Sequence, residues 1–167
     1  ITITTLNQSP LEDVAKFLQA QWKDLGVETI IETYPQVELE RDVIKPRNYQ
    51  ILLFGEIIGK VPDPFPFWHS SQKKDPGLNL SSYESKEADQ LLGAMRKELN
   101  EETRIKMYED LQALILKDFP AIFLYDIPYT YETAQEIKGI KEHIIGDPSW
   151  RFAGMTSWYI NTKRVLK

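Results

Sequence analysis

Residues 1–34 read ITITTLNQSPLEDVAKFLQAQWKDLGVETIIETY, and this stretch predicts the class of the fold. Ile1–Leu6 alternates apolar and polar residues and is rich in β-branched ones, which is typical of a strand. A helix start follows, because Ser9 is a good N-cap, Pro10 suits the first helical turn, and Glu12 completes a capping box. The chain therefore passes from a strand into a helix near residue 10.

The helix and the strand after it complete a β-α-β unit. Gly26 suits the left-handed residue that ends a helix, and Val27–Tyr34 is rich in strand-forming residues. Such a unit joins parallel strands, normally through a right-handed crossover. Apolar residues recur at helical spacing between the two strands, which predicts an inward face of Leu11, Val14, Leu18, Trp22 and Leu25.

Further along the chain, the same kinds of signal predict more helices and strands. A short helix is expected at Val37–Ile44, and a strand buried on both faces at Tyr49–Phe54. Two longer helices follow, capped by Ser85 and by Asn100. Their inward residues are predicted to be Ala88, Leu91, Leu92 and Met95 in the first, and Ile105, Tyr108, Leu111, Leu114 and Ile115 in the second. Strands are predicted at Ala121–Ile127, Ile137–Ile140 and Ser157–Ile160.

Composition excludes several classes of function. The 167 residues include 20 basic and 25 acidic side chains, and a net charge of −5 leaves no basic excess to bind nucleic acid. The chain has no cysteine, which excludes disulfides and thiolate metal sites, and only two histidines, His69 and His143. The sequence shows no phosphate-binding glycine loop and no nucleophile elbow. We therefore predict neither an enzyme nor a catalytic residue, and neither a metal nor a cofactor.

The loop that leaves the buried strand is the candidate ligand site. Residues 55–66 are rich in glycine and proline, which predicts a stiff loop of specific shape. In open α/β sheets, ligands bind beyond the carboxyl ends of the strands. Asn79 and Tyr83 either bind a ligand or shape a turn. The aromatic residues of this region either close the core or contact a ligand, and they are Phe65, Phe67 and Trp68. We predict that the cleft is lined by Phe54, Gly55, Glu56, Lys60, Asp63 and Asn79.

The order of these signals resembles the family 5 extracellular solute-binding proteins, the oligopeptide- and dipeptide-binding class of ABC importers. No single piece is specific, but their order along the chain is. The similarity fades beyond about Lys138. The matching pieces are Ala15–Val27, Tyr49–Gly55, Pro62-Asp63-Pro64, Asn79–Tyr83 with Ala88–Leu92, Glu102-Thr103-Arg104 with Tyr108, Leu111 and Gln112, and Pro120–Tyr125.

This resemblance implies an α/β lobe of the periplasmic-binding-protein-like type II fold, with a central mixed sheet flanked by helices. It also implies that residues 1–167 are a single carboxyl-terminal lobe, with 138–167 as a less certain tail. Because the sequence begins inside a predicted strand, we expect an excised piece of a longer protein. The partners implied are a small solute or peptide, the missing amino-terminal lobe and an ABC permease, and no nucleic acid.

The location implied is extracytoplasmic, either in the periplasm or at the cell surface as an anchored lipoprotein. Two functions stay open. One is the substrate-binding component of an import system, and the other is a sensing or interaction module derived from the same fold without transport. A hydrolase is the third and least favoured reading, because no pair of carboxylates follows a catalytic pattern.

Lys60 departs from the family pattern. Peptide-binding members carry a Trp and an acidic residue before Pro-Asp-Pro, and the acid pairs with the peptide's amino group. Here residues 56–61 contain no Trp, and Lys60 lies about where that acid is expected. Since like charges repel, Lys60 favours an anionic or neutral ligand, unless Glu56 takes the acidic role or Lys60 is merely a solvated loop residue.

Overall fold

Strand β1 (Thr2–Leu6) lies at the centre of a three-stranded sheet in the computed structural model, which describes residues 1–56, 63–126, 129–141 and 148–162. Both of its neighbours, β2 (Ile30–Tyr34) and β3 (Ile51–Leu52), run parallel to it. The register pairs Leu6 with Tyr34 and Thr4 with Leu52. The predicted β-α-β unit is thus confirmed, and the carboxyl ends of all three strands lie at one edge.

Helix α1 (Leu11–Asp24) covers one face of this sheet. Its residues pack against Ile3 and Leu53, which are buried. The predicted inward face is confirmed for Leu11, Val14, Leu18 and Trp22. The prediction for Leu25 is wrong, because this residue lies past the last helical turn and is 78% exposed.

The predicted cap of α1 is also wrong. Pro10 occupies the N-cap position and makes no side-chain cap bond, while the Ser9 hydroxyl donates to Asp13 Oδ2 at 2.8 Å. Gly26 does take the left-handed conformation, with φ of +80°, as expected.

The other face of the sheet is covered by helix α2 (Gln36–Glu38), which continues as a π-helical segment, Leu39–Ile44. Leu39 and Val43 are buried there against Leu6. Strand β3 is shorter than predicted, although the Leu53 amide still donates to Thr4 O at 2.9 Å. The sheet is therefore packed on both sides, as a parallel sheet requires.

A helical hairpin forms the second core of the molecule. Helices α4 (Lys86–Met95) and α5 (Glu101–Asp118) begin as predicted, since Ser85 Oγ accepts from the Ala88 amide and Asn100 Oδ1 from the Thr103 amide. The predicted inward faces are confirmed except at Ile105, which is 52% exposed. None of the helices described is both long and apolar enough to cross a membrane. The hairpin core is Tyr83, Ala88, Leu92, Met95, Leu111 and Ile115.

Contacts divide the chain into two compact units. The first comprises Ile1–Glu56 and Asp63–Ile122, and the second is drawn from the rest of the chain. In the second unit, β4 (Ile137–Lys138) pairs antiparallel with β5 (Tyr159–Ile160), so the strands predicted at Ile137–Ile140 and Ser157–Ile160 are confirmed. The strand predicted at Ala121–Ile127 is wrong over residues 121–126, which pair with no strand among the described residues. The prediction of a single lobe stays a prediction.

Candidate ligand-binding site

Phe54, Gly55 and Glu56 lie where β3 ends, at the edge that carries the carboxyl ends of the three strands. Phe54 is half-buried and packs against the cluster formed by Leu6, Leu39 and Val43. Gly55 is exposed, and a Cβ added there would meet no atom within 4 Å. This edge therefore offers one apolar ring and an unobstructed stretch of backbone.

Glu56 carries the largest perturbation of a carboxyl group in this region. Desolvation by the surrounding protein raises its pKa to about 7, and the charge of Arg47 offsets part of that effect. The residue as a whole remains exposed to solvent. A carboxyl with such a pKa exchanges its proton near neutral pH.

Asp63 lies against helix α4. Its carboxylate accepts from Arg96 Nε at 3.2 and 3.1 Å and from Arg96 Nη2 at 2.5 Å. Oδ1 also accepts from the Phe65 amide at 3.2 Å. The Arg96 hydrogen bonds lower the pKa of Asp63, with a further contribution from the Phe65 amide, so the group is an anion at neutral pH.

Asn79 is completely buried, and its side chain is saturated with hydrogen bonds. Nδ2 donates to His69 O at 3.1 Å and to Tyr83 O at 2.9 Å, while Oδ1 accepts from the Tyr83 amide at 3.0 Å and from Ser81 Oγ at 3.2 Å. An amide side chain has two donors and two acceptor lone pairs on its oxygen, and all are in use. Of the two alternatives for Asn79, the structure favours the turn-shaping role.

The predicted site residues thus fall into two groups. One group, Phe54, Gly55 and Glu56, lies just beyond the end of β3 at the sheet edge. In the other group, Asp63 binds the start of the short helix α3 (Phe65–Trp68) and Asn79 binds the residue that follows its end. Lys60 lies outside the described residues. The prediction that these six residues line a cleft stays a prediction.

The aromatic residues of α3 divide between core and surface. Phe65 and Trp68 pack against the α4–α5 core, and the Trp68 ring meets the Tyr83 ring edge-on at 6.2 Å. The Phe65 ring stacks on His69 at 4.1 Å. The reading that these two rings close the core is therefore confirmed, while a ligand contact for half-buried Phe67 stays a prediction.

Sequence reasoning missed three charged residues that organise this region. Arg47, held at φ of 60°, donates to Lys73 O at 3.0 Å, to Gly77 O at 2.6 Å and to Ile44 O. Asp89 accepts from the Ser70 amide at 2.8 Å and from the Ser70 hydroxyl at 2.5 Å. Arg96 is the third. Their partners are backbone groups or residues distant in sequence, so no local spacing could have revealed them.

His69 and Asp89 have structural roles. Nδ1 of His69 accepts from the Ser71 amide at 3.1 Å and lies 3.8 Å from Asp89 Oδ1. Burial pushes the pKa of Asp89 upward, but the Ser70 hydrogen bonds and the charge of Lys73 act against it, and the net effect lowers the pKa. Within the described ranges, no three His, Asp or Glu side chains are grouped so as to hold a metal ion.

Comparison with known proteins points to one group of binding proteins. No family model matches the chain. The oligopeptide-binding protein AppA of Bacillus subtilis (strain 168) is 29% identical over 133 residues, which are 79% of this chain and 24% of AppA. The curated relatives of this chain are named as oligopeptide- or dipeptide-binding proteins. The "Probable D,D-dipeptide-binding periplasmic protein DdpA" of Escherichia coli (strain K12) is 26% identical over 136 residues, 80% of this chain and 26% of that protein.

Solved structures of such proteins share the fold. The structure of B. subtilis AppA in complex with a nonapeptide matches 96% of this chain and 31% of its own, with a TM-score of 0.71 and 26% identity. DppA from Helicobacter pylori, in complex with the peptide STSA, matches 71% of this chain and 24% of its own, with a TM-score of 0.60 and 26% identity. The predicted type II binding-protein fold is confirmed. The chain spans about a quarter of the length of the curated relatives it matches.

Proposed function

We propose that this chain is one lobe of the substrate-binding component of an ABC-type import system and forms one wall of a cleft for peptides or similar small solutes. The observation that carries the proposal is the match of 96% of the chain to peptide-bound AppA. The relatives are described as binding proteins rather than enzymes. The wall would be the sheet edge at Phe54, Gly55 and Glu56, where parallel sheets bind ligands.

The proposed partners follow from the size of the relatives. Because they are about four times as long as the matched region, the opposite wall of the cleft would come from the amino-terminal lobe of the same protein. The loaded protein would then deliver its solute to an ABC permease. DdpA is described as periplasmic, which supports an extracytoplasmic location here, either free or as an anchored lipoprotein.

The ligand class depends on Lys60 and Glu56. We infer that Lys60 disfavours a free ligand ammonium group, since two cations within a few ångströms repel each other. Glu56 is the acid available on the same loop. A ligand with a blocked or absent amino terminus would avoid the conflict with Lys60, whereas a free amino terminus would require Glu56 in its ionised form.

The test is binding by the full-length protein. Native mass spectrometry would detect a solute retained during gentle purification, and titration calorimetry would follow with peptides of two to nine residues, each with a free and an N-acetylated amino terminus. We expect saturable binding of at least one peptide class. A protein that retains no solute and binds no peptide would contradict the proposal and would favour the sensing or interaction module instead.

Two variants test the role of Lys60. Lys60→Ala should reduce the preference for acetylated over free peptides, whereas Lys74→Ala, which removes an exposed lysine from another loop, should not. Unchanged selectivity in Lys60→Ala would remove the hypothesis about this residue. It would leave the binding function itself intact.

A further inference from the structure

Arg96 lies at the end of helix α4 and binds Asp63, which belongs to the loop before helix α3. Arg96 is the first residue after α4, where a cation also interacts favourably with the helix dipole. Its guanidinium binds both carboxylate oxygens of Asp63, and its Cζ lies 3.8 Å from the centroid of the Phe65 ring. One side chain thus holds Asp63, which lies two residues before the helix, and Phe65, the first residue of α3.

Asp63 completes the same arrangement from the loop side. While it binds Arg96, its Oδ1 also accepts from the Phe65 amide, which fixes the turn that starts α3. At the other end of α3, Asn79 binds the carbonyl of His69. The helix is therefore held from both ends, by Arg96 through Asp63 at the start and by Asn79 at the finish.

The exposure of the Arg96–Asp63 pair indicates what it contributes. Their side chains are 45% and 42% exposed, and ion pairs this accessible add little to the stability of a protein. A two-pronged guanidinium–carboxylate contact nevertheless defines position and angle better than a single hydrogen bond. Its main effect is therefore geometric, on Asp63 and on the start of helix α3.

We propose that Arg96 is a positioning residue for ligand binding, which holds Asp63 and the start of α3 in place without touching the ligand. This inference rests on the proposed function, because the segment that ends at Asp63 begins at the predicted ligand edge. It also reassigns Asp63. The carboxylate serves the loop and Arg96, and the ligand contacts come from Phe54, Gly55 and Glu56.

The experiment measures peptide affinity, dissociation rate, melting temperature and amide hydrogen exchange in the full-length protein. The probe is the tightest-binding peptide of the panel described above. Arg96→Met should weaken binding about fivefold, mainly through faster dissociation. It should also speed exchange of the Phe65 amide about fivefold, because that amide loses a fixed acceptor. The melting temperature should change by less than about 2 °C, since the pair is exposed.

Two further variants serve as matched controls. Arg41→Met removes a more exposed arginine that pairs with its neighbour Asp42, and it should change neither affinity nor Phe65 exchange. Arg96→Lys should recover about half of the lost affinity on a logarithmic scale, because lysine keeps the charge but not the planar fork. Partial recovery would support positioning by geometry as well as by charge.

Three results would overturn the inference. Arg96→Met could bind peptide as tightly as Arg41→Met, its loss of affinity could follow a matching loss of thermal stability, or Phe65 exchange could stay unchanged while affinity falls. If the wild-type protein bound no peptide, the proposed function would fail first. Peptide binding that is intact in both wild type and Arg96→Met would instead contradict only the role of Arg96.

Discussion

The two units of this chain differ in how much of their side-chain surface they bury. The first unit contains three clusters of buried apolar residues, two on the faces of the sheet and one between α4 and α5. The described part of the second unit contains no fully buried residue. Its described side chains instead make ring contacts among Tyr131, Phe152 and Trp158. The Cζ atom of Arg151 lies 4.4 Å from the centroid of the Phe152 ring.

This difference indicates where the stability of the chain resides. Burial of apolar surface is the dominant favourable term in folding. The first unit therefore contributes the larger share of the stability of the chain. Several large side chains around the end of the first unit, among them Phe119 and Ile122, are more than 60% exposed. The comparison can be tested by matched substitutions, one in each unit.

The largest effect is expected from a cavity in the helical hairpin. Leu92→Ala should lower the free energy of unfolding by about 3 kcal/mol, because Leu92 is 1% exposed and its removal leaves a hole between α4 and α5. Ile160→Ala, at a 57% exposed position of β5, should cost less than about 0.5 kcal/mol. Urea denaturation followed by circular dichroism measures both. Equal losses would contradict the comparison.

A buried polar position should give the next largest effect. Asn79→Ala leaves the His69 and Tyr83 carbonyls and the Tyr83 amide without this partner, and should cost about 2 kcal/mol. Asn161→Ala, at an exposed position of the second unit, should change stability by less than about 0.5 kcal/mol. If Asn79→Ala proved neutral in denaturation, the described hydrogen bonds would not be contributing to stability.

Two glycines allow the same steric change to be made in each unit. A Cβ at Gly77 would lie 2.2 Å from Gln72 O, and one at Gly139, which has φ of +82°, would lie 2.3 Å from Ser157 O. Each alanine variant must shift backbone, at a cost of about 1–2 kcal/mol.

The consequences of these two variants should differ in extent. Gly77→Ala should lower the midpoint of the main unfolding transition, whereas Gly139→Ala should only speed amide exchange around β4 and β5. Exchange mass spectrometry distinguishes these outcomes. A global loss of stability from Gly139→Ala would show that the second unit contributes more than its burial indicates.

The smallest effect concerns pH. Because the pKa of Glu56 in the folded protein is raised from 4.5 to about 7, the folded state holds this proton more tightly than the unfolded chain does. The stability contributed by Glu56 is therefore full below about pH 4.5 and is lost as the pH rises through about 7. Since the residue is exposed, solvent screening should reduce this change well below what a shift of this size would give for a buried group.

A glutamine variant tests this pH dependence. Glu56→Gln should remove the small decline of stability across that range, while Glu38→Gln, on an exposed helical position, should retain it. Denaturation midpoints measured from pH 4 to pH 8 provide the comparison. An identical decline in Glu56→Gln would assign it to other groups.

The sequence predicted best those elements whose signals are local. The β-α-β unit and both caps of the helical hairpin follow from periodicity and from residues within one helical turn, so they were predictable. Residues 121–126 show the opposite case. Their β-branched and aromatic residues favour a strand, but a strand also needs a neighbour to pair with, and none occurs among the described residues.

The candidate site was only partly accessible to the same reasoning. The sheet edge at Phe54–Glu56 follows from the topology of parallel strands. The hydrogen-bond partners of Asp63 and Asn79 could not be predicted from this topology. Arg96 is 33 residues away from Asp63 in sequence, and Asn79 binds mainly backbone groups. A residue selected for its position in a loop, such as Asn79, can thus have its side chain buried and bound entirely to the protein.

Asn79 has a consequence for reading mutational scans of this protein. Because its amide has no hydrogen-bonding capacity left to offer, the ranking of substitutions at this position should be the same whichever solute is supplied for growth. Positions at the sheet edge should instead change rank with the solute. Intolerance at residue 79 is then a marker of folding, and only solute-dependent intolerance is a marker of recognition.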